Sequence, residues 1–128
     1  MRQKNSDEYY TPDSLINLPS CDSWIKSRID GPFIDVNCGT GNWLVHILEM
    51  KLKAGISHEE SVKNIYGVEI QEDSAKECQD RLIKGVEQLR PIVERNIVCA
   101  DALRYHYRFD GSDPYKTAND LHFDRLFG

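Results

Sequence analysis

Short apolar runs along the chain alternate with longer segments whose apolar residues recur every three or four positions. The first such run starts at Phe33, passes through Gly39 and Gly41, and continues with apolar residues at helical spacing. This pattern predicts a strand, a tight loop and a helix in immediate succession. The same criteria predict further strands at 65–70, 96–100 and 121–128, and helices at 13–18, 22–29, 42–53, 57–64 and 73–89.

Local signals set the helix boundaries. Gly55 stands just past the predicted helix 42–53, where glycine commonly ends a helix. Ser57 and Glu60 have the spacing of a capping box, which predicts a helix start. Pro91 is expected to break the long helix, because proline lacks an N–H and clashes with the preceding turn. The apolar stripe of that helix consists of Ala75, Cys78, Leu82, Val86 and Leu89.

The loop after the first strand carries the candidate chemistry. Gly39 and Gly41 allow positive φ and a close approach to a ligand, and the helix start beyond them offers free N–H groups. The dinucleotide fingerprint G-x-G-x-x-G fails at Leu44, which is expected to hold the helix too far from the strand for a pyrophosphate. Asp35 repels phosphate but accepts hydrogen bonds from an ammonium group. An amino-acid-bearing nucleoside without phosphates therefore fits better than NAD, and S-adenosylmethionine matches that description.

Four ordered motifs, which together span most of the chain, resemble those of the DNA adenine-N6 methyltransferases. The loop Asp35-Val36-Asn37-Cys38-Gly39-Thr40-Gly41 is similar to the first motif of that family, D/E-P-x-C-G-x-G, with valine in place of proline. Upstream, Glu8-Tyr9-Tyr10-Thr11-Pro12 resembles its Tyr-Thr-Pro signature. Further along, Tyr66-Gly67-Val68-Glu69-Ile70 resembles the second motif and Cys99-Ala100-Asp101-Ala102-Leu103 the third.

The resemblance implies a binding site for S-adenosylmethionine or S-adenosylhomocysteine. It implies that Thr11 and the neighbouring backbone meet the methionine end, that Glu69 binds the ribose hydroxyls, and that Asp101 contacts the adenine amino group. No metal site is predicted. The residues predicted to bind the cofactor are Tyr10, Thr11, Pro12, Asp35, Asn37, Cys38, Gly39, Gly41, Glu69, Ile70, Asp101 and Ala102.

The implied fold is α/β, a Rossmann-like class I methyltransferase half-domain. Its sheet is expected to be mostly parallel, with about four strands in the order 3-2-1-4 and helices on its faces. A single cofactor-binding domain is predicted over 1–128, with 1–8 flexible and 105–120 an irregular loop.

The catalytic motif of the resembled family, Asn/Asp-Pro-Pro-Tyr/Phe, follows the fourth strand, and 123–128 resembles the residues just before it. The only similar string, Ser112-Asp113-Pro114-Tyr115, has one proline and precedes that strand. An ordinary Asp-Pro turn is the favoured interpretation. No catalytic residue is therefore predicted, and the chain is expected to be inactive alone.

The charge balance opposes the function of the resembled family. A net charge of −5 on 128 residues is unfavourable for DNA binding, which depends on neutralising phosphates with Lys and Arg. The basic and aromatic cluster from Arg104 to Arg108 is interpreted as a solvated loop beside the cofactor pocket, so DNA recognition by the chain alone is doubtful. The four cysteines form no C-x-x-C pair, which favours reduced thiols and a cytoplasmic location, in the host cytoplasm if phage-encoded. No apolar run reaches membrane-spanning length, and no secretory signal is recognised.

The predicted fourth strand would be an exposed sheet edge, with unpaired backbone groups beside Leu126 and Phe127. We expect this edge, Phe123 to Phe127, to pair with a second copy or with another protein.

Three functions remain open. They are a non-catalytic S-adenosylmethionine-binding protein resembling short phage methyltransferase-like proteins; an active DNA adenine methyltransferase completed by a partner chain or truncated from a longer protein; and a phage accessory or anti-host interaction module that kept only the fold.

Overall fold

The computed structural model describes residues 19–127, with the backbone alone for 19–21. Strands and helices alternate along this range, which is the pattern of an α/β protein. The helices are α1 (Pro19–Ser27), α2 (Asn42–Lys53), α3 (His58–Lys63), α4 (Glu72–Ile83), α5 (Arg90–Asn96) and α6 (Ala118–Phe127), with a 3-10 turn at Glu87–Leu89. The strands are β1 (Phe33–Asp35), β2 (Ile65–Glu69) and β3 (Ile97–Cys99).

The three strands form one parallel sheet in the order β1-β2-β3. Phe33 pairs with Ile65, and Glu69 at the end of β2 pairs with Cys99 at the end of β3. This order agrees with the 3-2-1 part of the predicted sheet. The register brings the carboxyl ends of all three strands to one edge, where open α/β sheets bind ligands.

The predicted fourth strand is wrong: the chain forms α6 there, and the described sheet has three strands. Thr117 and Asp120 begin this helix with a reciprocal cap. The Asp120 N–H donates to the Thr117 hydroxyl at 3.1 Å, and the Thr117 N–H donates to the Asp120 carboxylate at 2.9 Å. This T-x-x-D pattern is a variant of the capping box and satisfies donors that would otherwise be free at the helix start. The apolar residues Phe123, Leu126 and Phe127 then recur at i, i+3 and i+4, as on a helix.

The predicted long helix 73–89 is also wrong after Ile83. The helix α4 ends at Ile83, where Lys84 (φ 51) and Gly85 (φ 80) both take the left-handed conformation. That conformation commonly ends helices and favours glycine. Pro91 then lies in the first turn of α5 rather than ending a helix, because a proline there removes no intrahelical bond. The predicted helix 42–53 and the cap at Ser57, which accepts from the Glu60 N–H at 3.1 Å, are confirmed.

The main core lies between one face of the sheet and the helices. Leu44 is fully buried there, and a Cβ atom on Gly67 of β2 would lie 2.9 Å from its Cδ1 atom. In the G-x-G-x-x-G fingerprint, a glycine on the helix allows the helix to pack closely on the sheet. Here Gly67 on the strand allows the same close packing against Leu44. The buried apolar residues of this core are Ile25, Phe33, Cys38, Leu44, Ile47, Leu48, Val62, Ile65, Cys78, Leu82, Ile83, Leu89, Val93 and Ile97.

The opposite face of the sheet is covered by the segment after β3. Val68, Ala100 and Tyr105 form a second buried cluster, against which Phe109 packs. The Phe109 ring also lies 4.9 Å from that of Tyr66 on β2. Side chains alternate between the two faces of a strand, so a strand buried on both sides needs this second cover. Among the helices of the described range, none is long and apolar enough to cross a membrane.

Candidate functional site

A cavity of about 310 Å³ opens at the carboxyl ends of the three strands. Residues just beyond each strand contribute to its wall, and an aromatic side chain from the following loop completes it. The lining consists of Val36, Asn37, Ile70, Ala100, Asp101, Ala102, Leu103 and Tyr107. Its position is where ligands bind in parallel α/β sheets, and its wall combines apolar surface with a few polar groups, as ligand sites do.

The glycine loop between β1 and α2 is held by backbone bonds. The Cys38 N–H donates to the Val68 carbonyl at 3.0 Å, and the Gly41 N–H donates to the Cys38 carbonyl at 2.9 Å. Gly39 (φ 56) and Gly41 (φ 94) both adopt the left-handed conformation that glycine favours. A Cβ atom on Gly41 would also meet the Cys78 sulfur at 2.7 Å, so packing as well as conformation requires glycine there.

Glu69 fastens this loop to the end of β2. Its carboxylate accepts the Gly39 N–H at 2.9 Å and the Gln71 N–H at 2.8 Å, and the residue is 1% exposed. One buried carboxylate therefore joins the glycine loop to the turn that begins α4. Charged acceptors of this kind make stronger hydrogen bonds than neutral ones, which favours a loop already shaped before any ligand arrives.

Asp35 ends β1 and shapes the turn behind it. One carboxylate oxygen accepts the Asn37 N–H at 3.1 Å, an Asx turn that directs Asn37 into the cavity wall. Burial raises the pKa of Asp35, while the Asn37 N–H acts in the opposite direction. The surroundings of Asp35 thus disfavour its ionised form, and a cationic ligand beside the carboxylate would stabilise that form.

Asp101 caps a similar turn after β3. Its carboxylate accepts the Leu103 N–H at 2.9 Å, and its own N–H donates to the Tyr115 hydroxyl at 2.9 Å. The Arg104 guanidinium lies 4.3 Å from the Tyr115 ring centre. Asp113 forms a further turn by accepting the Tyr115 N–H at 2.9 Å. The Asp-Pro string of the sequence therefore forms a turn that supports Asp101.

The predicted site residues separate into three groups. Those that line the cavity are Asn37, Ile70, Asp101 and Ala102; those that form the loop and strand ends beside it are Asp35, Cys38, Gly39, Gly41 and Glu69; and those outside the described residues are Tyr10, Thr11 and Pro12. The Cys38 side chain is buried in the core, so its part in the site is to shape the loop.

The cavity also contains residues that sequence analysis did not single out. Tyr107 lines it, and Leu103 beside it is 95% exposed. The sequence signal for Tyr107 is the aromatic run Tyr105-His106-Tyr107, which by itself predicts only a loop beside the pocket. Among the described residues, no group of three or more His, Cys, Asp and Glu side chains could hold a metal ion.

These features define an α/β protein with a cavity at the carboxyl edge of a parallel sheet. The family model for N-6 DNA methylases matches residues 1–109 of the 128. The chain therefore belongs to the N-6 DNA methylase family, and the predicted resemblance is confirmed. Comparisons with curated proteins and with solved structures gave no match.

Proposed function

We propose that this chain binds S-adenosylmethionine, or its product S-adenosylhomocysteine, at the strand-end cavity of a Rossmann-like class I methyltransferase half-domain. The observation that carries the proposal is the convergence of Asn37, Ile70 and Asp101 in one cavity, each from a different strand end. Membership in the N-6 DNA methylase family supports the same ligand, because methylation in this family uses that cofactor.

The residues of the site fit the parts of this cofactor. Asp101 offers a carboxylate for the adenine amino group, and Ile70, 40% exposed, offers apolar surface for the base. The Asp35 carboxylate is suited to the ammonium group of the methionine part. The resemblance assigns the ribose hydroxyls to Glu69, whose carboxylate joins the glycine loop to the end of β2 by accepting the Gly39 and Gln71 N–H groups.

Methyl transfer itself makes further demands. The bound cofactor supplies a methyl group on a sulfonium, and the protein must hold the target amine in line with it. Among the described residues, the closest string to the family's catalytic motif is Asp113-Pro114-Tyr115, and its polar groups are engaged in the turn beside Asp101. We therefore propose that the chain binds the cofactor without transferring its methyl group unless a partner chain or further residues complete the site.

Titration calorimetry with S-adenosylhomocysteine tests the binding proposal. Wild-type protein is expected to bind, and Asp101→Asn and Asp35→Asn are each expected to lose about 1–3 kcal/mol of binding free energy, the range for a hydrogen bond to a charged group. Asp110→Asn is the matched control, because Asp110 is an exposed carboxylate outside the cavity wall. Absence of wild-type binding, or equal affinity in all three variants, would contradict the proposal.

A labelled-methyl assay on adenine-containing DNA tests the catalytic part. The purified chain is expected to transfer methyl groups at the background rate, although it binds the cofactor. Transfer by the chain alone, abolished by Asp101→Asn, would instead favour an active methyltransferase.

The surface of α6 supports a partner for this chain. Phe123, Leu126 and Phe127 are 62%, 61% and 74% exposed, respectively, and none of the residues of α6 is buried. We propose that this apolar stripe contacts a second copy of the chain, in place of the strand edge that the sequence suggested.

A further inference from the structure

The side chain of Tyr107 reaches the cavity from the loop after β3 rather than from a strand end. Its hydroxyl donates to the Ala102 carbonyl at 2.7 Å, so the tyrosine is fastened to the residue next to Asp101. The residue remains 39% exposed and forms part of the cavity wall. The same side chain thus closes the turn that carries Asp101 and offers a flat apolar surface to the cavity.

The backbone at Tyr107 is strained to achieve this placement. Its φ is 55°, in the left-handed region that residues other than glycine seldom adopt, and Phe109 repeats this with φ 51°. Such conformations cost free energy and persist where the surroundings fix them, often at ligand sites. Here the surroundings are specific, because the Phe109 N–H donates to the Tyr105 hydroxyl at 2.7 Å.

The Tyr107 ring packs against two other aromatic rings. Its centre lies 4.8 Å from that of Tyr105 and 6.1 Å from that of Phe109. Tyr105 is buried against Val68 of the sheet, so this cluster of tilted and edge-on rings is anchored in the core. Burial, with the nearby charge of Asp101, raises the pKa of Tyr107, and the hydroxyl stays protonated as a donor at neutral pH.

We propose that Tyr107 is the specificity-determining aromatic wall of this site, on which the adenine ring of the cofactor stacks while Asp101 binds its amino group. This inference rests on the proposed cofactor binding and adds the residue that selects the base. Stacking on an aromatic ring suits any flat base, and the Asp101 carboxylate then favours a base that carries an amino group. The aliphatic surface of Ile70 in the same cavity provides a second apolar contact.

The test compares two ligands that differ only in the base. S-adenosylhomocysteine carries adenine, whereas S-ribosylhomocysteine keeps the ribose and the amino acid and lacks it. Affinities are measured by titration calorimetry for wild type, Tyr107→Phe and Tyr107→Ala. Phe123→Ala serves as the control, since Phe123 is an exposed aromatic residue that does not line the cavity.

Tyr107→Ala is expected to weaken S-adenosylhomocysteine binding about tenfold or more, the effect of losing one base–aromatic stack. Its affinity for S-ribosylhomocysteine should match that of wild type. Tyr107→Phe keeps the ring and loses only the bond to Ala102, so a two- to fivefold loss, roughly, is expected for S-adenosylhomocysteine. Phe123→Ala should match wild type for both ligands.

Three results would overturn the inference. Unchanged S-adenosylhomocysteine affinity in Tyr107→Ala removes the stacking role while the proposed cofactor binding stands. Equal losses for both ligands show that Tyr107 only maintains the fold of the loop. Failure of wild type to bind either ligand removes the proposed function and the inference with it. If Tyr107→Ala does not fold by circular dichroism, Tyr107→Leu, which keeps apolar bulk behind the loop, takes its place with the same expected pattern.

Discussion

Lys51 occupies a position where an apolar residue would be expected. It continues the buried stripe of α2 formed by Leu44, Ile47 and Leu48, and it is 1% exposed. Its ammonium group donates to the carbonyls of Ile29 and Gly31 at 2.6 and 2.8 Å. The ammonium nitrogen also lies 5.0 Å from the centre of the Phe33 ring. One lysine thus fixes the turn that delivers β1 to the sheet.

Replacing this lysine tests its structural role. Lys51→Met keeps the length of the side chain and leaves two carbonyl groups without their donor, which costs about 1–3 kcal/mol for a buried polar group. We expect the free energy of unfolding, measured with urea, to fall by about that amount. Lys53→Met, on an exposed residue of the same helix turn, should change it by less than about 0.5 kcal/mol. Equal effects of the two variants would show that the bonds of Lys51 contribute no net stability.

Asp35 is expected to favour binding at the expense of stability. Burial raises the pKa of its carboxyl above the ordinary value of 3.8. Between pH 3.8 and the folded-state pKa, the folded state therefore binds more protons than the unfolded state. Stability therefore falls as the pH rises through the folded-state pKa. Asp35→Asn should be more stable than wild type at neutral pH, and the difference should vanish as the pH falls below the ordinary value.

The matched variant for this pH series is Asp110→Asn. Hydrogen bonds from Ser112 lower the pKa of Asp110, so its contribution to stability is present at neutral pH and lost as the pH falls. The two variants should therefore shift stability in opposite directions at pH 7 and converge with wild type in acid, as followed by thermal unfolding across the pH series. A destabilised Asp35→Asn variant at neutral pH would contradict the conclusion that partial burial disfavours the ionised Asp35 carboxylate.

Among the elements, α3 and α6 start with the same kind of cap and differ in what they pack against. Ser57 caps α3, whose residues Ser61 and Val62 are buried, whereas Thr117 caps α6, which has no buried residue. A cap contributes about 1 kcal/mol to the helix that it begins. The contribution reaches the whole protein only where the helix is coupled to the core.

Ser57→Ala and Thr117→Ala should therefore behave differently. Ser57→Ala is expected to lower the free energy of unfolding by about 1 kcal/mol. Thr117→Ala should leave that quantity unchanged and reduce the helical population of 118–127, as measured by NMR chemical shifts and amide exchange. A global loss of stability in Thr117→Ala would show that α6 is coupled to the core.

Sequence periodicity predicts the elements that have one apolar side and one polar side. The strand, glycine loop and helix from Phe33 to Lys53 follow from apolar spacing and from Gly39 and Gly41. Elsewhere the structure follows local glycine, proline and capping signals rather than the apolar spacing. Gly85 is a helix-ending signal and Pro91 a helix-starting one, yet the apolar spacing across them favoured one long helix. At 121–128 the resemblance to the strand before a catalytic motif outweighed the Thr117 capping pattern, and the local signal determined the structure.

The candidate site was predicted only in part, for a physical reason. Motif positions locate the strand ends, so the sequence alone predicts that Asn37, Ile70 and Asp101 lie near one another, as they do in the cavity wall. The contacts of Lys51 and Tyr107 depend on where irregular segments fold back, which spacing along the chain does not encode. Glu69 shows the same limit, since its bond to the Gly39 N–H joins residues 30 positions apart.

At the scale of the whole molecule, the surface of α6 differs from the rest of the fold. The rings of Phe123 and Phe127 pack against each other in a tilted arrangement with centres 4.7 Å apart, and Leu126 lies on the same stripe. Lys116 pairs with Asp124 beside them. An apolar stripe with charges at its border is typical of an interface between protein surfaces.

We expect this stripe to form a weak homodimer. Both copies bury this stripe, and six side chains that are each about two-thirds exposed gain about 6–12 kcal/mol. This gain is of the same order as the roughly 4–15 kcal/mol lost in association. Sedimentation equilibrium over a concentration series should show a mass rising from 14.8 kDa toward twice that value. Leu126→Ser combined with Phe127→Ser should remain a monomer throughout. Val86→Ser, which removes an apolar side chain that is 41% exposed away from α6, should dimerise like wild type. A monomeric wild type at the highest concentration, or dimers that survive the double substitution, would exclude α6 as the contact between copies.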